Sequence, residues 1–173
     1  MVEVTIEITQ WCEHDCPWCS SNATSDGKHL ELHQITDFLQ DQSDIERINI
    51  SGGEPLAHPD FYKILQYCYQ ITDNVWIYTN AIRQIIYNTH ILKEIKIEAN
   101  TVLAPGEPCY ISKNVKTHLL KPIPQGRAKN MKMPEIVVSR NFYDPSACDE
   151  CNHVLLQADG KTVKAPCVKE YSS

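Results

Sequence analysis

The sequence contains no run of about 18 apolar residues, so it offers no helical membrane span. Its start, MVEVTIEIT, alternates and is acidic, lacking the basic cluster and apolar stretch of an export signal. Positive charge is not in excess either. Sixteen Lys and Arg against 22 Asp and Glu leave a formal net charge of −6, which argues against a nucleic-acid or anionic-membrane partner. There is no internal repeat and no low-complexity segment. These absences leave a globular, cytoplasmic protein as the expectation. At 173 residues and 42% hydrophobic content, one domain with a small appendage fits.

What the chain does have is cysteine, eight in all. With no export signal to favour disulfides, clustered cysteines point to metal binding or chemistry. Six fall into two groups, Cys12/Cys16/Cys19 and Cys148/Cys151/Cys167, leaving Cys68 and Cys109 as singles.

Hydrophobic periodicity places the first group. Val2 to Thr9 alternates as a strand, and the cysteines follow in a loop. Leu32, Ile35, Phe38 and Leu39 recur at helical spacing, and Ile45 to Ser51 reads as the next strand, running into Gly52-Gly53-Glu54-Pro55. Pro59 stands near a helix start, with Phe61, Ile64, Leu65 and Cys68 on one stripe. Asn74 to Asn80 is a third strand, Ile82, Ile85 and Ile86 suit a helix, and Ile95 to Ala99 a fourth strand. Alternating strands and helices predict right-handed βαβ units on a parallel sheet. The cysteine loop, the Gly-Gly-Glu turn and Thr79-Asn80 then fall on one rim, at the C-terminal strand ends where such folds place their chemistry. Thr117 to Leu120 and Ile136 to Ser139 are short strand candidates beyond residue 100. His153 to Cys167 predicts a hairpin turning at Asp159-Gly160.

Three cysteines spaced C-x3-C-x2-C can hold three corners of a 4Fe–4S cubane, leaving one iron open to a substrate, whereas an electron-transfer cluster normally has four cysteines. A zinc site completed by a distant residue is the alternative on spacing alone. Cys68, on an apolar stripe, reads as a buried small hydrophobe.

Trp11-Cys12-Glu13-His14-Asp15-Cys16-Pro17-Trp18-Cys19 resembles the C-x3-C-x-aromatic-C signature of the radical S-adenosylmethionine superfamily. Ser51-Gly52-Gly53-Glu54-Pro55-Leu56 is similar to its Gly-Gly-Glu motif, and Thr79-Asn80-Ala81 to the Thr-Asn-Gly that commonly ends strand three. The resemblance covers roughly residues 1 to 100. It implies a 4Fe–4S cluster on Cys12, Cys16 and Cys19, with S-adenosylmethionine chelated to the open iron. Reductive cleavage would yield a 5′-deoxyadenosyl radical that abstracts hydrogen from a peptide, protein or small molecule. Gly52 and Gly53 would let backbone approach the ligand, Glu54 would meet the methionine ammonium, Trp18 would flank the adenine, and Asn80 and Glu98 are candidates for the ribose. An external one-electron reductant of flavodoxin or ferredoxin type is implied as a partner.

Cys148, Cys151 and Cys167 resemble the auxiliary-cluster segment called twitch, related to the SPASM domain. They would hold a second 4Fe–4S cluster, its fourth ligand being Cys109, His153, substrate or water. Gly126-Arg127-Ala128 resembles a segment often seen before such domains, and Arg127 is a candidate to hold an anionic group of the substrate. Too few residues precede Cys148 for six full βα units. The expectation is therefore an α/β fold: a shortened partial (β/α) barrel over residues 1–143, with a cysteine-rich hairpin segment over 144–173. A glycyl-radical activating protein and a non-catalytic metal-binding module are the rival readings.

Overall fold

In β1 (Val2–Glu7) and just beyond it, Val4, Ile6 and Ile8 are fully buried. Glu3, Thr5 and Glu7 alternate with them onto the other face, as the two-residue period of a strand requires. β2 (Ile45–Ser51) repeats the pattern through Ile48 and Ile50. In this computed structural model the described residues are 1–80, 98–102, 116–120, 126–130 and 152–164.

Two helices cover the apolar face. α1 (Leu32–Gln40) buries Ile35, Phe38 and Leu39; α2 (Phe61–Ile71) buries Phe61, Ile64, Leu65 and Cys68. These stripes and the strand residues form one core cluster. Each fully buried aliphatic side chain contributes about 1.5–3 kcal/mol, so the β1–β2 unit with its two helices is the stable base of the site. β3 (Val75–Ile77) pairs parallel with β2, and β2 parallel with β1.

The C-terminal hairpin joins the main sheet. β6 (His153–Leu156) lies parallel to β1, with Glu3 to Ile6 opposite His153 to Leu156. Its Val154 and Leu156 join the core cluster. β7 (Thr162–Lys164) returns antiparallel across the Asp159-Gly160 turn, giving a five-stranded order β3-β2-β1-β6-β7. The chain thus has a mixed α/β fold dominated by parallel pairing.

Three expected elements shift. The third strand spans three residues and not the seven from Asn74 to Asn80. Tyr78 still donates to the Ile50 carbonyl at 2.9 Å, and just beyond it the Thr79 hydroxyl and the Asn80 N–H donate to the Glu54 carboxylate. The fourth strand is β4 (Glu98–Val102), three residues later than expected. It pairs parallel with β5 (Lys116–Leu120) in a separate two-stranded sheet. β1 ends at Glu7, although Ile8 continues the ladder to Ser51 at 3.0 Å. The expected helix at 82–86 and the strand at 136–139 lie outside the described residues.

On the face of the sheet away from the helices, polar side chains pair across strands. Asn49 donates to Glu3 Oε1 at 2.8 Å and to Thr5 Oγ1 at 3.1 Å, and His153 Nε2 shares a 2.7 Å hydrogen bond with Thr5 Oγ1. Arg47 meets Glu3 at 3.5 Å and lies over the Trp76 ring. His153, considered above as a cluster ligand, is therefore held within the sheet.

Candidate active site

The loop from Thr9 to Lys28 leaves β1 and returns toward α1 without regular secondary structure, so local bonds must set its shape. Thr24 N–H donates to the Gln10 carbonyl at 3.0 Å and Cys12 N–H to the Thr24 carbonyl at 2.9 Å, closing the neck of the loop. Cys16 to Cys19 is a turn closed by Cys19 N–H on the Cys16 carbonyl at 3.1 Å, with Pro17 at the position that suits its fixed φ. Trp18 is half-buried at the next position of this turn. Ser21 donates its hydroxyl to the buried carboxylate of Glu7 at 2.7 Å, fixing the far side of the loop to β1.

Cys12, Cys16 and Cys19 are all free thiols. Backbone N–H groups already point at two of the sulfurs, His14 to Cys12 Sγ and Ala23 to Cys19 Sγ, each at 3.4 Å. Burial pushes the Cys12 thiol above its ordinary value, and burial together with the nearby Cys19 and Cys12 does the same for Cys16. Thiols gathered on one loop suit a positive centre, which removes their protons on binding. Among the described residues no three metal-binding side chains converge as a single ion requires. A cubane takes one sulfur on each of several irons and so does not ask three side chains to meet at one point.

The Gly-Gly-Glu turn packs directly on this loop. Gly53 N–H donates to the Thr9 carbonyl at 2.7 Å and Glu54 N–H to the Trp11 carbonyl at 2.8 Å. Gly52 has φ +129°, and a Cβ there would stand 2.3 Å from the Thr9 carbonyl oxygen; one on Gly53 would stand 2.2 Å from that of Trp11. Here the glycines are needed because the chain's own backbone occupies the space. Glu54 is fully buried. Its carboxylate accepts from Leu56 N–H at 3.0 Å, Thr79 hydroxyl at 2.7 Å and Asn80 N–H at 2.8 Å. It therefore ties the end of β2 to the end of β3 and brings Asn80 to the rim.

The structure thus gathers Cys12, Cys16, Trp18, Cys19, Gly52, Gly53, Glu54 and Asn80 at the C-terminal ends of β1, β2 and β3. Glu98 starts β4, outside that five-stranded sheet. Cys109, Cys148, Cys151 and Cys167 lie outside the described residues. Arg127 comes to the cysteine loop itself: Nε donates to the Cys16 carbonyl at 2.8 Å, an Nη to the Ala23 carbonyl at 3.0 Å, and its backbone N–H to the Cys19 carbonyl at 2.9 Å. Sequence reasoning missed Glu7, the bond of Thr79 to Glu54 and this loop contact of Arg127. Only the Thr79-Asn80 pair carried a signal, because a strand-end Thr beside a buried acid is a natural donor.

Residues 6–108, more than half of the chain, match the family described as the Radical SAM superfamily. The chain belongs to that superfamily. Membership implies a 4Fe–4S cluster and S-adenosylmethionine, and the free thiols of Cys12, Cys16 and Cys19 are the donor type that such a cluster takes. The chain is 35% identical over 82 residues to an S-adenosylmethionine-dependent nucleotide dehydratase of Selenomonas ruminantium, covering 46% of this chain and 30% of that one. It is 31% identical over 90 residues to a PqqA peptide cyclase of Bradyrhizobium diazoefficiens, covering 50% and 23%. The solved structure of Streptococcus suis SuiB bound to precursor peptide SuiA aligns with TM-score 0.48 at 24% identity, over 60% of this chain and 24% of that one. The matched stretches span less than a third of each curated relative. Among the described residues no helix is long and apolar enough to cross a membrane.

Proposed function

We propose that this chain is the core of a radical S-adenosylmethionine enzyme that modifies a peptide, a protein or a small molecule. The single observation that carries the reading is the junction of three free thiols on one loop with the Gly52–Glu54 turn hydrogen-bonded to that loop. When bound, a 4Fe–4S cluster with one open iron supplies the electron that splits S-adenosylmethionine and releases a hydrogen-abstracting 5′-deoxyadenosyl radical.

The chain's own residues supply the setting. Cys12, Cys16 and Cys19 hold the cluster. The backbone of Gly52, Gly53 and Glu54 offers polar groups to the methionine end, while the Glu54 carboxylate holds the turn and the end of β3 together. Trp18 presents an aromatic side chain beside the cysteines for the adenine, and Asn80 and Glu98 are assigned to the ribose. A modifying enzyme with a peptide or nucleotide-like substrate agrees with the two curated relatives, whose names specify a peptide and a nucleotide. In this reading residues 1–143 form a shortened partial barrel. Residues 144–173 carry an auxiliary cluster on Cys148, Cys151 and Cys167, and a flavodoxin- or ferredoxin-type protein delivers the electron.

Anaerobic reconstitution tests the central assignment. The protein should take up iron and sulfide, absorb in the visible and bleach with dithionite, and its reduced-state resonance should change when S-adenosylmethionine is added. Replacing Cys12, Cys16 and Cys19 together by Ala should remove about four irons and that response. A colourless protein that binds zinc in place of iron would establish the non-catalytic module instead.

A further inference from the structure

The Gly126–Ala128 turn meets the cysteine loop from far along the chain. Arg127 is 111 residues from Cys16, yet its Nε lies 2.8 Å from the Cys16 carbonyl. The Ala23 and Cys19 carbonyls take two more of its N–H groups at 3.0 and 2.9 Å. These three acceptors flank the turn that holds Cys16 and Cys19 on both sides. An N–H to carbonyl bond from a guanidinium is stronger than a neutral one, and the planar fork fixes direction as well as distance. Arg127 also meets Asp15 at 3.4 Å, but that carboxylate side chain is 92% exposed, so the pair adds little.

Gly126 makes the approach possible. Its φ is +54°, and a Cβ would stand 2.4 Å from the Ser20 carbonyl oxygen and 2.6 Å from that of Cys19. Ala128, fully buried, closes the other side of the turn. One guanidinium nitrogen, Nη2, is buried with no hydrogen-bond partner among the described residues. A partly buried cation bonded to the carbonyls of Cys16 and Ala23, with one donor unspent, is arranged to meet negative charge on the cysteine loop.

We propose that Arg127, seated by Gly126, is a positioning residue that pins the cysteine loop in its cluster-accepting shape and places a positive charge beside the cluster. This rests on the reading of Cys12, Cys16 and Cys19 as cluster ligands, and it assigns Arg127 to the loop in place of the substrate. Two consequences separate. The fork of hydrogen bonds governs retention of iron, because residues that orient metal ligands set affinity. The charge governs reduction potential, because net charge near the sulfurs decides how readily the cluster takes an electron.

The experiment compares the full-length wild type with R127K and R127Q, in the iron-free and the reconstituted state. In the iron-free protein, R127Q should speed hydrogen exchange at the Cys12, Cys19 and Thr24 amides while the amides of α2 stay protected. In the reconstituted protein, R127Q should lose iron to a chelator roughly ten- to a hundredfold faster than wild type and show a lower reduction potential. R127K keeps the charge and loses the fork, so it should release iron fast with a potential near that of wild type. Unchanged loop exchange in iron-free R127Q overturns the pin. A wild-type potential in R127Q overturns the charge role. Wild-type protein that takes up no iron sinks the cluster assignment instead, and the exchange comparison still decides the pin.

Discussion

Glu54 Oε1 accepts the Thr79 hydroxyl at 2.7 Å, joining the Gly-Gly-Glu turn after β2 to the segment just beyond β3. With Leu56 and Asn80 also donating to it, a fully buried carboxylate is satisfied by three donors of the chain itself. Such a group costs most when it is removed alone, because the donors it leaves behind stay buried or strained.

Glu54→Ala should therefore destabilise the fold by on the order of 2–4 kcal/mol, and S-adenosylmethionine affinity should fall with it because the rim at Asn80 loosens. Urea denaturation of the iron-free protein measures the first effect and calorimetry on the reconstituted protein the second. Wild-type stability with lost affinity would mean that the carboxylate serves the ligand and not the turn.

The thiols should sort themselves by reactivity. Cys68 is fully buried, and burial pushes its thiol up to about 12, leaving about one thiolate in ten thousand at pH 8. In iron-free protein a small alkylating reagent should modify Cys16 and Cys19 first, Cys12 (8% exposed) more slowly, and Cys68 only after unfolding. Peptide mapping over time checks the order. Early labelling of Cys68 would remove it from the core of α2.

Two glycines with positive φ should respond differently to Ala. At Gly52 the added Cβ would strike the Thr9 carbonyl at 2.3 Å, backbone that cannot yield, so Gly52→Ala should cost about 3 kcal/mol or more and prevent cluster loading. At Gly160, φ +85°, the nearest atom is the Gln34 side-chain nitrogen at 3.5 Å, and the cost should be about 1–2 kcal/mol from backbone strain alone. Equal losses in thermal melts would mean that the close approach at Gly52 contributes nothing.

His58 should make the iron-free protein less stable in mild acid. Its Nε2 is 2.8 Å from the Leu30 carbonyl, which can only accept, so this nitrogen carries the proton; Nδ1 accepts from Asp60 N–H at 3.0 Å. The two bonds fix the neutral tautomer, and a second proton on Nδ1 would face an N–H. Burial holds the folded pKa below its ordinary value. Above the unfolded value, about 6.5, both states are neutral and stability is complete. As pH falls below it the unfolded chain binds the proton first, and stability declines until the folded value is passed. His153, also lowered by burial, acts in the same direction. His58→Gln should flatten the slope between pH 6.5 and the depressed folded value in denaturation curves; an unaltered slope would assign the effect to other groups.

The sequence made some of this legible and hid the rest for physical reasons. β2 was readable to the residue, Ile45–Ser51, because alternation and a following turn are local signals. The helix stripes and the cysteine and Gly-Gly-Glu motifs were readable for the same reason. The bond from Arg127 to Cys16 was not, because nothing local marks a partner 111 residues away. Likewise Val154 to Leu156 read as a strand, but apolar character does not say which edge of which sheet it covers. The third strand was overdrawn because Thr79 and Asn80 have the composition of a strand end, and their donors go to a side chain.

That hairpin also bears on how the chain folds. If residues 144–173 were an independent cluster segment, a chain ending at 143 would fold and load its first cluster. The sheet order argues otherwise. β6 fills the edge of β1 over the four residues Glu3 to Ile6, and its removal leaves a central strand with an unpaired ladder. Val154, Leu155 and Leu156 are each at most 8% exposed, and losing one such Leu side chain costs about 2–5 kcal/mol, a large part of the stability of a small domain. Truncation before Asp144 should therefore give an insoluble or molten chain, and Leu156→Ala alone should lower the denaturation midpoint while keeping the fold. Far-ultraviolet dichroism and thermal melts of both variants measure this. A truncated chain that melts cooperatively at the wild-type temperature would mean that β1 tolerates an open edge and that the hairpin adds nothing to the stability of the core.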